Sequence, residues 1–255
     1  MTLSRTSRAA RKIVAAVWAA GMLGGVASCS AGDDAISLEE TRKLGGSAQA
    51  EQARQKAEKH LVDIVHTYDK ETPLTLALVT VKDSCASGSG GALPSDDDTY
   101  KIRCTVDVTG YYGADRGRIG DVMDGILSAG DRQASATTPG EGVDFGHDNY
   151  RSKLVAYYRG HKPNPSGPHA TEPMQLSDDS QTLEWDMVRT KRHRTLIEEP
   201  PKCAKPDPPV TRCSHKPESK TIAKIRGKYG MVFKMSMTPV NYYQVYKDGK
   251  TYTTR

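Results

Sequence analysis

The side chains best suited to acid–base chemistry in this sequence lie in the stretch Asp144-Phe145-Gly146-His147-Asp148. This stretch places an imidazole among carboxylates, which are the groups that most often transfer protons in enzymes. His147 with Asp148 or Asp144 is therefore the candidate acid–base pair if the protein is an enzyme. A histidine in a glycine-rich loop is more often ordinary polar surface, and no serine or cysteine nucleophile can be paired with it from sequence.

The chain after residue 28 lacks the motifs of the common catalytic classes. It contains no G-x-x-x-x-G-K-[ST], H-E-x-x-H, G-x-S-x-G or S-x-x-K. These absences exclude the phosphate-binding loop, the zincin helix, the hydrolase elbow and the penicillin-binding motif. We therefore assign no catalytic residue and no cofactor, and we favour a non-catalytic protein.

Cys29 ends an N-terminal segment that has the order of an export signal. Residues 13–25 are uncharged and mostly apolar, and the small residues of Val26-Ala27-Ser28 precede the cysteine. The basic residues of the segment all come first: Arg5, Arg8, Arg11 and Lys12. The segment resembles the lipobox signal of bacterial lipoproteins. The resemblance implies that residues 1–28 are cleaved off, that a lipid is attached to the Cys29 thiol, and that the protein is tethered to the extracytoplasmic face of the cell membrane.

Two other interpretations of this segment remain open. One is an ordinary cleaved signal with an accidental cysteine. The other is a retained helix, since residues 13–32 carry no charge and reach the roughly 20 residues that span a bilayer. The glycines and serines in its second half make a poor apolar span, so the lipobox is favoured, with residues 29–46 as the lipid-anchored tether.

Cleavage of the signal would remove most of the net charge. The 36 basic residues fall to 32 against 31 acidic residues, so the formal charge drops from +5 to +1. The total charge therefore gives no case for nucleic-acid binding, and we expect no nucleic-acid partner.

With Cys29 lipidated, an even number of cysteines remains in an oxidising compartment: Cys85, Cys104, Cys203 and Cys213. Disulfide bonds are the ordinary use of such cysteines. Of the three pairings, Cys85–Cys104 with Cys203–Cys213 is favoured because each bond closes a local loop. A zinc site from Cys203, Cys213 and His215 is the alternative, but it lacks the closely spaced cysteine pair of structural zinc sites, and we assign no metal.

Two amphipathic helices are predicted from apolar residues at three- and four-residue steps. The first begins after Ser47 and has the apolar positions Ala50, Ala53, Ala57, Leu61, Ile64 and Tyr68. The second stops near Gly130 and has the apolar positions Ile119, Val122, Met123, Ile126 and Leu127. A shorter helical turn is predicted from Ser37, which has capping-box spacing with Glu40.

Strands are predicted where apolar and polar residues alternate, or where a short apolar run lies between turn signals. The clearest alternation covers residues 100–108, and a run that is apolar on both faces covers 74–81. Further strands are predicted at 154–158, 183–187 and 229–237. Asp248-Gly249 predicts the turn of a C-terminal hairpin.

The first two strands can be paired from the sequence. If they are antiparallel with Cys85 opposite Cys104, then Val81 falls opposite Val108. The disulfide and the hydrophobic register therefore agree.

This order of helices and strands is typical of an α+β fold. We predict a mostly antiparallel sheet with the two amphipathic helices on one face and with loops stapled by disulfides. Residues 47–190 form the core domain in this interpretation. Residues 191–255 form a C-terminal region, in which a proline-rich disulfide loop at 198–220 precedes the β-hairpin.

Two further features are candidates for binding. The first is the densest positive cluster after residue 28, which consists of Arg189, Lys191, Arg192, His193 and Arg194. Its charge matches anionic lipid head groups or phosphate-bearing wall polymers. The competing interpretation is a solvated connection between strands. Tyrosine doublets are the second feature. On a strand one ring of each doublet faces outwards, which makes Tyr112 and Tyr243 candidates for a sugar- or protein-binding platform.

These observations favour a membrane-anchored extracytoplasmic lipoprotein of binding type, whose partner is a cell-envelope polymer or a protein. The alternatives are an exported enzyme that acts on envelope material and a small-ligand carrier. A carrier needs an apolar cavity between sheet and helices. Beyond its first thirty residues, the chain is similar only in general character to small α+β lipoproteins of unassigned function in high-GC Gram-positive bacteria.

Overall fold

The computed structural model describes residues 36–88, 99–134, 140–190 and 194–254, and these residues form an α+β fold. They contain five α-helices and eight strands, and every strand pair among them is antiparallel. The predicted fold class is confirmed. Cys29 and the segment before it lie outside the described residues.

The helices are α1 (Leu38–Gly45), α2 (Ala48–Glu71), α3 (Ile119–Gln133), α4 (Asn149–Tyr158) and α5 (Ile222–Tyr229). The strands are β1 (Thr75–Ser87), β2 (Tyr100–Asp115), β3 (Gln175–Ser177), β4 (Gln181–Trp185), β5 (Thr211–Lys216), β6 (Gly230–Met237), β7 (Val240–Tyr246) and β8 (Thr251–Thr253). Within the described ranges, none of the helices combines the length and the apolar character that a membrane crossing requires.

Strand β2 lies at the centre of the sheet, and its 16 residues are enough to pair with three other strands. Strand β1 runs along one side of it. On the other side, β6 pairs with residues 109–115 and β7 pairs with residues 100–106. The order across the sheet is β3-β4-β6-β2-β1-β5, while β7 and β8 extend it beside the first half of β2.

The register between β1 and β2 is the predicted one. Cys85 lies opposite Cys104, and Val81 lies opposite Val108. Cys85 and Cys104 form a buried disulfide with their Cα atoms 4.0 Å apart, and Cys203 and Cys213 form the second disulfide. Both predicted pairings are therefore confirmed.

The main core lies on one face of the sheet, called here the front face. Helix α2 crosses β1, β2 and β7 and buries the whole predicted apolar stripe. Its first turn is capped by Ser47, whose Oγ accepts a hydrogen bond from the Ala50 amide. Helices α3 and α4 bury side chains in the same core, so the two predicted helices share one face. Each large apolar side chain buried in this way contributes about 1.5–3 kcal/mol.

A second, smaller core lies on the opposite, back face of the sheet. Helix α5 covers it, and this helix was not among the predicted ones. The buried residues of the back core come from β1, β2, α5, β6 and the chain before β5: Leu78, Tyr111, Ile197, Ile222, Ile225 and Val232.

Two predictions of secondary structure are wrong. Residues 154–158, predicted as a strand, are the last five residues of helix α4. Asp148 starts this helix, because its Oδ1 accepts a hydrogen bond from the Arg151 amide at 2.6 Å. The predicted loop at 198–220 contains strand β5, which pairs with β1 at the edge of the sheet.

The region after residue 190 contributes to the same sheet as the residues before it. Strands β5, β6 and β7 pair with β1 and β2. The predicted C-terminal hairpin is present as β7 and β8, and Gly249 in its turn has a φ of +86°, which favours glycine.

Candidate functional site

A groove opens between helix α2 and strand β1 at the point where β5 ends. Strand β5 pairs with β1 only over residues 79–84, so residues 75–78 have no strand on that side within the described part of the chain. The groove has a volume of about 600 Å³, which is in the range of small-molecule sites, about 300–1,000 Å³. Its apolar lining consists of Val62, Leu76, Ala77, Leu78, Val79, Val81 and Pro217.

A β-bulge in β1 produces the apolar floor of this groove. Leu76 lies opposite Tyr112 and Leu78 lies opposite Tyr111, so Ala77 is an extra residue in β1. The extra residue reverses the alternation of side chains. Leu76 therefore packs against the front core, whereas Leu78 belongs to the back core. The free edge of β1 is apolar on both sides as a result.

The rim of the groove carries charged side chains of both signs. Arg54, Lys59 and Lys216 line it, against a single lining carboxylate from Glu58. Glu58 Oε2 lies 2.5 Å from Arg54 Nη1, and Lys59 Nζ lies 2.5 Å from Asp63 Oδ2. Lys216 is therefore the rim cation that forms no ion pair among the described residues.

A buried ionic network closes one end of the groove around Asp83. The Tyr242 hydroxyl donates a hydrogen bond to Asp83 Oδ1 at 2.7 Å, and Arg212 Nη1 lies 3.5 Å from Oδ2. Arg54 Nε lies 4.0 Å from the same oxygen. Burial raises the pKa of Asp83, and the hydrogen bond from Tyr242 and the two arginines only partly oppose this rise.

Glu51 on α2 completes the network. A hydrogen bond from Arg54 lowers the pKa of Glu51 to about 2, and Arg212 Nη2 lies 2.9 Å from Glu51 Oε2. The ionic groups thus join α2, β1, β5 and β7, and they hold the helix against the sheet at this end.

The imidazole of His147 lies between two carboxylates of helix α3. Its Nδ1 is 2.6 Å from Asp131 Oδ2, and its Nε2 is 3.2 Å from Asp124 Oδ1. The predicted partners are wrong. Asp148 caps α4 instead, and Asp144 accepts hydrogen bonds from the Gly140 amide and the Ser180 hydroxyl.

These contacts favour the charged form of His147. Burial lowers the pKa of His147, but the hydrogen bonds with Asp131 and Asp124 outweigh it, and the pKa lies above its usual value of 6.5. An imidazolium donates from both ring nitrogens. His147 therefore ties its loop to α3, and neither nitrogen is left free to accept a proton from a substrate.

We expect this tie to weaken as the pH rises. A histidine with a raised pKa in the folded state stabilises the fold fully below about pH 6.5, and this contribution is lost as the pH rises through the folded pKa. We expect His147→Asn to cost about 0.5–1 kcal/mol at pH 6, because solvent screens this partly exposed pair, and clearly less at pH 9. Urea unfolding at both pH values tests this, with the exposed His161→Asn as control. A cost of His147→Asn that does not change with pH would contradict the assignment.

The predicted basic cluster is only partly described. Arg189 stacks on the Tyr157 ring and donates to the Tyr158 carbonyl oxygen, and Arg194 donates to the Met187 carbonyl oxygen. Lys191, Arg192 and His193 lie outside the described residues. Binding of an anionic partner by this cluster stays a prediction.

The three residues of the alternative zinc site lie close together, but the two cysteines are oxidised. The ligand atoms of Cys203, Cys213 and His215 lie within 4.8 Å of one another. Because the two sulfurs form the predicted disulfide, neither is the thiolate that zinc requires.

The predicted tyrosine platform is wrong. Tyr112 and Tyr243 are both buried in the front core. The Tyr112 hydroxyl donates to the Val65 carbonyl oxygen at 2.9 Å, which satisfies its polar end inside the protein.

The groove itself was not predicted, and neither was its ionic network. Arg54, Asp83 and Arg212 come from three elements that are far apart in the chain, so no local spacing connects them. Comparison with family models, curated proteins and solved structures gives no match to this chain.

Proposed function

We propose that this protein is a membrane-anchored extracytoplasmic lipoprotein of binding type, and that its ligand occupies the groove between α2 and β1. The observation that carries the proposal is the groove, an apolar space of about 600 Å³ between sheet and helix with Lys216 at its rim. This is the kind of cavity that a small-ligand carrier needs. The two disulfides support an oxidising compartment, as expected outside the cytoplasm.

The structure gives less support to the alternative of an exported enzyme. His147, the candidate proton-transfer group, has both ring nitrogens engaged by Asp131 and Asp124. It is also not among the residues that line the groove. A binding protein accounts for the groove without requiring a catalytic group in it.

Mass spectrometry of the mature N-terminus tests the anchor. We expect the first residue to be Cys29 carrying a diacylglyceryl group. We also expect Cys29→Ala to leave the signal uncleaved or to release the protein from the membrane fraction, whereas Ser30→Ala leaves it anchored. Cleavage at another residue, or an intact residue 1 in the wild-type protein, would overturn the lipoprotein assignment.

A further inference from the structure

The groove has a neighbouring recess at the free edge of β1, towards the back face of the sheet. This second recess of about 260 Å³ shares Leu76, Ala77 and Pro217 with the groove and is otherwise bounded by α5. The β-bulge and the end of β5 expose this edge, so the same apolar residues serve both recesses. The two recesses adjoin at this edge, and we call their combined span from α2 to α5 the path.

The far end of this path carries a row of lysines. Lys220, Lys224 and Lys228 line the second recess, and Lys216 lies at the start of the path. The spacing of four residues places Lys220, Lys224 and Lys228 along one side of α5 and the turn before it. All four are exposed, and none forms an ion pair with an acidic side chain in the described part of the chain.

The four lysines outnumber the two carboxylates near them, Glu218 and Glu199. Glu199 lies at the start of α5, where its carboxylate accepts hydrogen bonds from the amides of Ile222 and Ala223 at 2.8 and 3.0 Å. The Lys224 ammonium donates to the Ser219 carbonyl oxygen, and the Lys228 ammonium lies over the Tyr229 ring. Neither contact removes a positive charge.

We propose that the groove binds a single-chain lipid phosphate, with the acyl chain against the apolar floor and the phosphate at the lysine row. This inference rests on the proposed function and names its ligand class. An acyl chain suits a long apolar path with one open side. A phosphate monoester carries a charge of about −1.5 to −2 at pH 7, so it matches several lysines better than a carboxylate with a single charge does.

Photo-crosslinking tests the proposal on the full-length protein held in phosphatidylcholine nanodiscs. The probe is a lysophosphatidate with a diazirine on its acyl chain, and the matched probe is the monoacylglycerol with the same chain. We expect the lysophosphatidate to label peptides that contain residues 54–66 and 76–81. The uncharged probe should label them about tenfold less, because it gains nothing from the lysine row.

A charge-matched pair of variants isolates the head group. The triple variant Lys220→Gln, Lys224→Gln and Lys228→Gln is expected to reduce lysophosphatidate labelling about tenfold, to the level of the uncharged probe. The control variant Lys153→Gln, Lys162→Gln and Lys205→Gln loses the same charge outside both recesses and should label as the wild type does. Circular dichroism spectra check that both variants are folded.

The outcomes separate the two proposals. Equal labelling by the two probes, or equal labelling of the two variants, would overturn the lipid phosphate while leaving the groove as a binding site. If neither probe labels the groove peptides, the lipid proposal is overturned as a whole, whereas the lipoprotein assignment depends on the separate test at Cys29.

Discussion

Asp186→Ala is expected to destabilise the folded protein by about 3–5 kcal/mol. The Asp186 side chain is 1% exposed and accepts four hydrogen bonds. Arg226 of α5 donates two of them, at 2.8 and 2.9 Å, and the amides of Ile197 and Val232 donate the others, at 2.7 and 2.9 Å. Alanine would leave a guanidinium without its counter-charge and two amides without an acceptor.

Guanidinium unfolding under non-reducing conditions measures this cost. The exposed Asp179→Ala is the control, and its effect should stay within about 0.5 kcal/mol. Because Asp186 joins α5, the segment at Ile197 and β6, the loss should also increase proteolysis of the back face. A cost of Asp186→Ala below 1 kcal/mol would show that the back face does not depend on this carboxylate.

Gly130→Ala is expected to destabilise the protein by about 3 kcal/mol, although alanine is the better helix former. A Cβ at Gly130 would lie 2.3 Å from the Phe145 carbonyl oxygen and 2.5 Å from its carbonyl carbon. Both atoms belong to the backbone, and the Phe145 side chain is fully buried. The chain therefore cannot move away without disturbing the core.

Gly227→Ala in α5 provides a control of opposite sign. Apart from the backbone of α5 itself and the adjacent residues, no atom of the described residues lies within 4 Å of a Cβ at Gly227. The usual helix propensity should therefore prevail and stabilise the protein by about 0.5–1 kcal/mol. Chemical unfolding of the two variants under identical conditions compares them. If Gly130→Ala were neutral or stabilising, the close approach of the loop to α3 would be refuted.

The sequence was sufficient to predict the pairing of β1 with β2. The alternation over 100–108 shows which side chains face the core, and the cysteines offer one register in which Val81 meets Val108. The two long helices were also predictable, since each repeats its apolar stripe over several turns. In these cases the pattern covers enough residues to exclude the competing type of secondary structure.

Two of the three short helices, α4 and α5, were not predicted, for different reasons. The run at 154–158 is apolar on both faces, and a run of five such residues fits a strand or a helix equally well. Helix α5 has only two buried residues, Ile222 and Ile225, so its sequence has no long apolar stripe. The residues at its two ends are what mark it in the sequence. The Thr221 hydroxyl caps its start, and Gly230 with a φ of +98° ends it.

The groove was beyond prediction because it depends on where one strand stops beside another. Strand β5 ends at Lys216, opposite Val79, more than a hundred residues away in the chain. The bulge at Ala77 was hidden as well, since the run at 74–81 is apolar at odd and even positions alike. The one local signal was the lysine at every fourth position from Lys216 to Lys228.

The edges of the sheet determine how readily this protein can aggregate through strand pairing. An exposed strand edge is a template for pairing with another copy. Among the described strands, the edges are β3 and β8, with three residues each, and β5, which carries Arg212 and is held by a disulfide. On the free part of β1, the Leu76 amide already donates to Asp69 Oδ1 at 2.6 Å. The apolar groove can thus stay open to a ligand while its backbone resists strand exchange between neighbouring molecules.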